Sequence, residues 1–191
     1  MFIGCTRLTN VSRLYIKGNL GKECCYEMFK DCTNLTTPPK DYFKRNIYPE
    51  SCYYSMFSGC SNLTSVENMR IFADDNSDIQ FMRNCFAYMF YDCRSLNTKW
   101  EGIRGKFSNG SCQYMFSKSG INSFGNITVL PAVTNNNMST TFFHMFDSCI
   151  NLNVASEDEA DIQYIKLDEA GLNATFGESC FEAMFKGCTS L

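Results

Sequence analysis

Apolar residues recur along this chain in a single pattern that returns every 26 to 39 residues. The dipeptide Met-Phe marks each of seven copies, which begin at Met1, Met28, Met56, Met89, Met115, Met145 and Met184. In six copies a cysteine follows the methionine by four residues, and a leucine lies three residues after that cysteine. In four copies another cysteine precedes the methionine by four residues. The repeated unit is therefore Cys-Tyr/Phe-x-x-Met-Phe-x-x-Cys-x-x-Leu.

The spacing inside this unit predicts a short α-helix. Counted from the first cysteine, apolar residues lie at i, i+1, i+4, i+5, i+8 and i+11. These positions fall along one face of a helix and do not alternate as they would in a strand. We therefore expect a helix of about three turns around each Met-Phe pair, buried along its Cys, Met and Phe side.

A short strand is predicted after the leucine of each unit, in Thr9-Asn10-Val11-Ser12, Thr64-Ser65-Val66-Glu67 and Asn97-Thr98-Lys99-Trp100. One strand and one helix cannot bury their own apolar faces, so successive copies are expected to stack. Stacking places parallel strands on one side and helices on the other, with Phe and Cys ladders in the core. The sequence predicts one α/β solenoid over residues 1–191, with six to seven repeats.

The unit resembles the BspA-like leucine-rich repeat, in its variant rich in Met-Phe-x-x-Cys-x-x-Leu. The segments 57–66 and 185–191 are close to that consensus, and Leu130-Pro131-Ala132 resembles the segment that precedes the helix in such repeats. The resemblance covers the whole chain. It implies short parallel strands on the concave side, short helices on the convex side, and a role in attachment to host matrix proteins, other cells or surface glycans.

The fifth and sixth copies depart from the pattern. In the fifth, Ser119 stands in place of the cysteine, no leucine follows in register, and Cys112 is one residue closer to the methionine. In the sixth, Thr141 occupies the position of the upstream cysteine. An irregular turn or a kink is expected at the fifth copy.

The twelve cysteines all lie at or beside repeat positions. Two cysteines eight residues apart on a helix are separated by about 12 Å, which is too far for a disulfide. Pairing between neighbouring helices is disfavoured by their usual separation of about 8–10 Å. The cysteines are therefore expected to be small buried apolar residues with free thiols, and many free thiols would suit a reducing or anaerobic habitat.

The composition excludes several classes of function. A net charge of −3 and the absence of a basic cluster argue against nucleic-acid binding. No stretch approaches the roughly 20 apolar residues of a membrane span, and the first residues lack the pattern of a signal peptide. The one histidine, His144, lies beside the core edge, and neither a phosphate-binding loop nor a His-Glu-x-x-His motif is present. We expect no enzymatic activity.

No cofactor or metal site is predicted. Acidic stretches at 74–78 and 157–161 each lead into Ile-Gln-aromatic, and the first has the spacing of a calcium loop. Ile79 and Cys85 stand where that loop needs glycine and glutamate, so an exposed turn is expected instead. Seven Asn-x-Ser/Thr sequons occur, at Asn10, Asn34, Asn62, Asn109, Asn126, Asn137 and Asn173. They indicate either glycan attachment or turn chemistry; Asn34 and Asn62, inside the repeat, favour turns.

The concave face and rim insertions are the expected binding surface, as in other solenoids. Alternation along the predicted strands makes six residues candidates for the exposed face: Asn10, Ser12, Ser65, Glu67, Thr98 and Trp100. An exposed Trp100 would be a plausible binding anchor; the alternative is that Trp100 belongs to the core or plugs an edge.

These patterns predict a non-catalytic interaction scaffold, secreted or displayed on a cell surface, that binds a protein or glycan. The alternative is a structural component of a larger assembly, such as a bacteriophage virion or appendage. Neither end shows a polar capping repeat, so further repeats or partner chains are expected there.

Overall fold

The structure is a computed structural model that describes residues 1–16, 18–39, 46–66, 79–98, 100, 102–130, 138–153, 163–167 and 176–191. Five strands are present in these ranges: β1 (Ile47–Tyr48), β2 (Gln80–Phe81), β3 (Gly102–Phe107), β4 (Asn126–Val129) and β5 (Ile165–Leu167). They form one sheet in the order β1-β2-β3-β4-β5, and every neighbouring pair is parallel. The predicted single parallel sheet is thereby confirmed for these five strands.

Strand β3 connects the two halves of the sheet. Its last residues, Lys106 and Phe107, pair with β2, while its first four residues pair with β4. The close approach to β4 requires a glycine at the start of β3, since Gly102 has a φ of 116° and a Cβ there would lie 2.0 Å from the carbonyl oxygen of Asn126.

The strands lie before the Met-Phe unit and not after its leucine, where the sequence placed them. After the leucine, neighbouring repeats are joined by single contacts, such as the parallel bridge between Asn10 and Thr37 and the bond from the Asn97 amide to the Thr64 carbonyl (3.1 Å). The side-chain oxygen of Asn10 accepts a hydrogen bond from the Ser12 amide at 2.8 Å. This local turn competes with an extended strand, which explains the wrong placement.

The Met-Phe units form chains of β-turns, and no helix is present in the described residues. Six ten-residue turn segments contain the second to seventh of these units: 22–31, 50–59, 83–92, 109–118, 139–148 and 178–187. Every fourth residue of each segment has a positive φ; in the second these are Ser51, Ser55 and Gly59. A right-handed helix requires negative φ throughout, so the prediction of convex helices was wrong.

Backbone hydrogen bonds alternate between two directions along each turn segment. In segment 50–59, the Met56 amide donates to the Tyr53 carbonyl at 3.1 Å, which closes a turn within the repeat. The next amide, of Phe57, donates to the Met89 carbonyl of the following repeat at 2.9 Å. Five bonds of this second kind join each neighbouring pair of segments, always from the earlier segment to the later one.

The turn segments look helical in sequence because four residues per turn and 3.6 residues per turn are nearly the same over a short distance. A helix rotates away from a four-residue repeat by only about 80° over eight residues. The residues with positive φ provide the better signal. Many are Asp, Asn, Ser or Gly, for example Asp31, Asn84 and Asp92, and Asn, Asp and Gly tolerate that conformation best.

The far-UV circular dichroism spectrum of the chain is expected to lack the double minimum of an α-helix, because none of the six turn segments is helical. Titration with trifluoroethanol is a suitable control, since the alcohol should induce the missing helical signal in the same sample. A strongly helical spectrum in buffer would contradict the turn segments.

The core is built from columns of identical residues, as predicted. Six phenylalanines that follow the motif methionines stack with ring centroids 5.3 to 5.7 Å apart and planes within 13° of parallel: Phe29, Phe57, Phe90, Phe116, Phe146 and Phe185. The first five of these rings are at most 1% exposed. Offset stacking adds about 0.5–1.5 kcal/mol per aromatic pair to the gain from burial.

The cysteines form a second column with a polar contact that the sequence did not reveal. All twelve are free thiols, and nine are buried. The thiol of Cys60 donates to the carbonyl of Phe29 in the preceding repeat at 3.1 Å, and Cys93 makes the same contact with Phe57. Cysteine at this position is therefore both a small apolar residue and a weak donor between repeats.

The fifth copy is regular, so the predicted kink is wrong. Segment 109–118 makes the same five bonds to the next segment as the others do. Ser119 lies 3.7 Å from the thiol of Cys149 and continues the cysteine column with a hydroxyl. The fully buried Ile121 provides an apolar side chain one residue before the expected leucine position.

Candidate binding surface

Trp100 and Thr98 belong to the core, and the expectation that they face solvent was wrong. Trp100 is 5% exposed, and its ring packs at 5.0 Å from Phe116 and 6.0 Å from Phe146. Thr98 is 2% exposed and donates to the Thr64 carbonyl at 3.4 Å. Because no regular strand follows the leucine, alternation did not decide the orientation, and burial of the large indole did. The alternative, a core tryptophan, is correct.

Asn10 and Ser12 are the two predicted binding residues that the structure brings together. Asn10 is exposed, Ser12 is partly exposed, and both line an open cleft of about 470 Å³ with Phe2, Val11, Arg13 and Leu14. Ser65 is partly exposed but does not line this cleft. Glu67 lies outside the described residues, as do the acidic stretches 74–78 and 157–161.

A row of aromatic side chains crosses five turn segments on their outer side. We call it the aromatic row; it consists of Tyr26, Tyr54, Tyr88, Tyr114 and His144. Consecutive ring centroids are separated by 4.9, 5.5, 4.7 and 4.9 Å. Tyr26 is 42% exposed, and the other four rings are partly exposed. The row is a continuous accessible surface that spans most of the repeats.

The rings of the aromatic row cover one another's faces. Tyr26 and Tyr54 are stacked within 3°, and Tyr114 is stacked on Tyr88 within 12° and on His144 within 16°. One step, from Tyr54 to Tyr88, is tilted by 49°. Inside the row, the parts that remain for a partner are therefore ring edges and phenol ends.

Three members of the row occupy a strained backbone conformation. Tyr88, Tyr114 and His144 have φ values of 58°, 53° and 52°. The left-handed conformation costs roughly 1–2 kcal/mol for a residue with a side chain. At the same place in the other turn segments stand Glu27, Ser55 and Ala183, which share this conformation, so the positive φ belongs to the fold. The continuous strip of accessible rings makes the aromatic row the strongest candidate for a binding surface.

The phenols of Tyr54, Tyr88 and Tyr114 stay protonated at neutral pH. Burial raises the pKa of Tyr88 to about 12, and the neighbouring phenols of Tyr54 and Tyr114 add to this. Burial also raises the pKa of Tyr54. It raises the pKa of Tyr114 as well, and the nearby Asp147 carboxylate adds to that increase. Each phenol can therefore donate a hydrogen bond to a partner.

His144 is held in place by the row and by Asp147. Its Nδ1 lies 2.5 Å from the Asp147 carboxylate, whose other oxygen accepts a hydrogen bond from Ser148 at 2.7 Å. Burial opposes ionisation of Asp147, but the bonds from Ser148 and His144 outweigh it and lower the pKa of Asp147. Because the Ser148 hydroxyl donates to Asp147 and not to the imidazole, this trio lacks the arrangement of a serine nucleophile with its base.

Charged groups of both signs flank the row. Lys30 forms a 2.6 Å ion pair with Glu27. The Lys118 ammonium donates to the Tyr91 hydroxyl at 2.8 Å and lies 5.2 Å from the centre of that ring. An aromatic strip bordered by mixed charges is the usual composition of a protein-binding surface.

Neither a metal site nor a membrane-spanning helix occurs in the described part of the chain. No group of three or more His, Cys, Asp or Glu residues there is placed to hold a metal ion. In the same ranges, no helix is long and apolar enough to cross a membrane.

Two of the sequons take part in contacts between repeats. The Asn62 side-chain amide donates to the Asn34 side-chain oxygen at 3.1 Å, and the Asn34 amide donates to the Thr6 carbonyl at 2.7 Å. Both side chains thus join neighbouring repeats.

The aromatic row was missed at the level of sequence because its members do not share one repeat position. Tyr26 and Tyr54 lie two residues before the motif methionine, whereas Tyr88, Tyr114 and His144 lie one residue before it. The available signal was the presence of an aromatic ring at either position in most copies.

The chain was also compared with known proteins. Its sequence matches no protein-family model and no curated protein, and its fold matches no solved structure.

Proposed function

We propose that this chain is a non-catalytic interaction scaffold that binds a protein or glycan through the aromatic row. In this proposal residues 1–191 form a single solenoid of the leucine-rich type, displayed on a cell surface or secreted, with the turn segments in place of convex helices. The observation that carries the proposal is the accessible strip of aromatic rings that crosses five turn segments.

The physical properties of the row support recognition. Tyrosine provides a large rigid contact area with one polar end, and it is enriched among residues that dominate binding energy. Stacking between repeats fixes each ring before a partner arrives, so little side-chain entropy is lost on binding. The flanking pairs Lys30–Glu27 and His144–Asp147 provide a charged rim.

A second candidate is a structural component of a larger assembly. It is favoured by segment 178–187, in which the amides of Ser179, Phe181, Ala183, Phe185 and Gly187 have no acceptor among the described residues. Those amides correspond to the ones that join the earlier segments to one another. A partner chain that presents a row of carbonyl oxygens would satisfy them.

Immunogold labelling of the native source material, with an antibody against this chain, separates the two candidates. Label on the cell envelope supports the surface scaffold. Label on virus particles or on another discrete assembly overturns it in favour of the structural component.

Replacing both Tyr88 and Tyr114 with Asn is expected to weaken binding to the responsive member of a panel of immobilised matrix proteins and glycans by at least about tenfold. Asn removes the ring but tolerates a positive φ, so the variant should keep its fold. Tyr164→Ser is the control, because Tyr164 is 45% exposed but lies outside the aromatic row. Unchanged binding by the folded double variant would contradict the assignment of the row.

A further inference from the structure

We propose that the aromatic row binds the aromatic row of a second copy of this chain, with the two chains antiparallel about a two-fold axis at Tyr88. This inference rests on the proposed function, since it requires the row to be a binding surface. It goes further by naming the partner, its orientation and the charged residues that set its register.

The spacing of the row selects the partner. Its rings are 4.7 to 5.5 Å apart, because each repeat adds one ring. Side chains on one face of an extended peptide are about 6.6–6.8 Å apart, so such a peptide falls out of step within a few rings. A second copy presents the same spacing, so every ring in one row can meet a ring in the other.

The stacking of the rings disfavours a sugar as the partner of the whole row. A sugar ring packs on the face of an aromatic side chain, and both faces of Tyr114 are covered, by Tyr88 on one side and His144 on the other. Ring edges and phenol ends remain accessible along the row, and these can meet their equivalents in a second copy. A phenol hydroxyl both donates and accepts a hydrogen bond, so the phenol ends of two such rows can bond to each other.

The charges beside the row are complementary under the proposed symmetry. An axis at Tyr88 brings segment 22–31 of one copy opposite segment 139–148 of the other, since both lie two segments away. Lys30 and Asp147 each follow the motif methionine by two residues, and Glu27 and His144 each precede it by one. Lys30 therefore faces Asp147 of the second copy, and Glu27 faces His144.

All four of these side chains keep part of their surface exposed. The side chains of Lys30 and Glu27 are 35% and 22% exposed, and those of His144 and Asp147 are 14% and 16% exposed. The self-complementary arrangement occurs twice in the pair, as a two-fold interface requires. Opposite charges at both ends of the row fix the register and exclude a shift by one repeat.

Sedimentation velocity of the reduced full chain over a range of concentrations tests the proposal. The wild-type chain is expected to form dimers. Lys30→Glu and Asp147→Lys, each of which places like charges across both ends, are expected to weaken the dimer by about tenfold or more. The double variant restores opposite charges and should recover affinity to within about threefold of wild type. Lys166→Glu, the same charge change on exposed strand β5, is the control.

A cross-link provides a second measurement that leaves the charges unchanged. A photoreactive phenylalanine analogue at position 88 should join two copies through segment 83–92 of each, as identified by mass spectrometry of the peptides. A cross-link to another segment would overturn the symmetry, and so would folded single variants that dimerise as well as wild type.

The outcomes separate this inference from the proposed function. If the chain is monomeric at all concentrations but the Tyr88→Asn, Tyr114→Asn double variant still loses binding to the panel, the second copy is excluded and the scaffold function stands. If the chain is monomeric and the double variant also binds the panel as wild type does, both proposals fail.

Discussion

Raising the pH from 9 towards 12 is expected to unfold this protein in the presence of a reductant. Burial raises the pKa of Cys25, Cys60 and Cys149 to about 12, from an ordinary value of 9.0. Between these values the unfolded chain loses thiol protons that the folded chain keeps, so stability is fully present below pH 9 and falls as the pH rises. Each such thiol contributes a loss of about 1.4 kcal/mol per pH unit.

The combined effect is large because burial raises the pKa of all nine buried thiols. Near pH 10 the summed loss of unfolding free energy from several of these thiols approaches the whole stability of a typical domain, about 5–15 kcal/mol. Urea unfolding at each pH from 8 to 11, followed by circular dichroism, measures this loss. Cys60→Ala should reduce the slope of stability against pH by about 1.4 kcal/mol per unit, although it costs stability at neutral pH. A free energy of unfolding that is flat from pH 8 to 10 would rule out the explanation.

Replacing Phe57 with Ala is expected to lower the free energy of unfolding by about 3–5 kcal/mol. The ring is fully buried and is stacked between Phe29 at 5.4 Å and Phe90 at 5.7 Å. Its removal leaves a cavity in the middle of the phenylalanine column and ends two stacking contacts at once. Because the backbone bonds between turn segments join sequence neighbours, the loss should also weaken the coupling between the segments before and after Phe57.

Phe57→Leu is the matched control for this cavity. Leucine fills most of the space and should lower the free energy of unfolding by about 1.5 kcal/mol or less. The difference in unfolding free energy between the two variants therefore reports the effect of the lost volume. Urea-induced unfolding at neutral pH under reducing conditions gives both values. A loss below 1 kcal/mol for Phe57→Ala would mean that the column is not the continuous core described above.

The positions of the core residues could be predicted from the sequence. The recurrence of Phe57, Phe90 and Cys60 at fixed offsets from the motif methionines predicted the ladders, and those side chains are fully buried. This prediction did not depend on the type of backbone. Any repeated unit that stacks on its neighbours brings equivalent residues together, whether the backbone between them is a helix or a chain of turns.

The backbone conformation could not be predicted in the same way. Over three turns, apolar residues at i, i+4 and i+8 fit a helix and a four-residue turn almost equally well. Hydrogen bonds between repeats decide between them: the Phe57 amide reaches the Met89 carbonyl of the next repeat, and that direction is unavailable to a helical amide. Such bonds exist only once the copies are stacked.

The sequence by itself therefore determined that the chain has a parallel sheet and that the Phe and Cys residues of the repeated motif fill the core. The tertiary structure decided which side chains are accessible. Trp100, a surface candidate in sequence, packs on Phe116, while tyrosines from two different repeat positions meet in the aromatic row. The physical reason is that accessibility depends on the neighbouring repeat that covers a side chain, and the repeat pattern carries no information about where its variable residues meet.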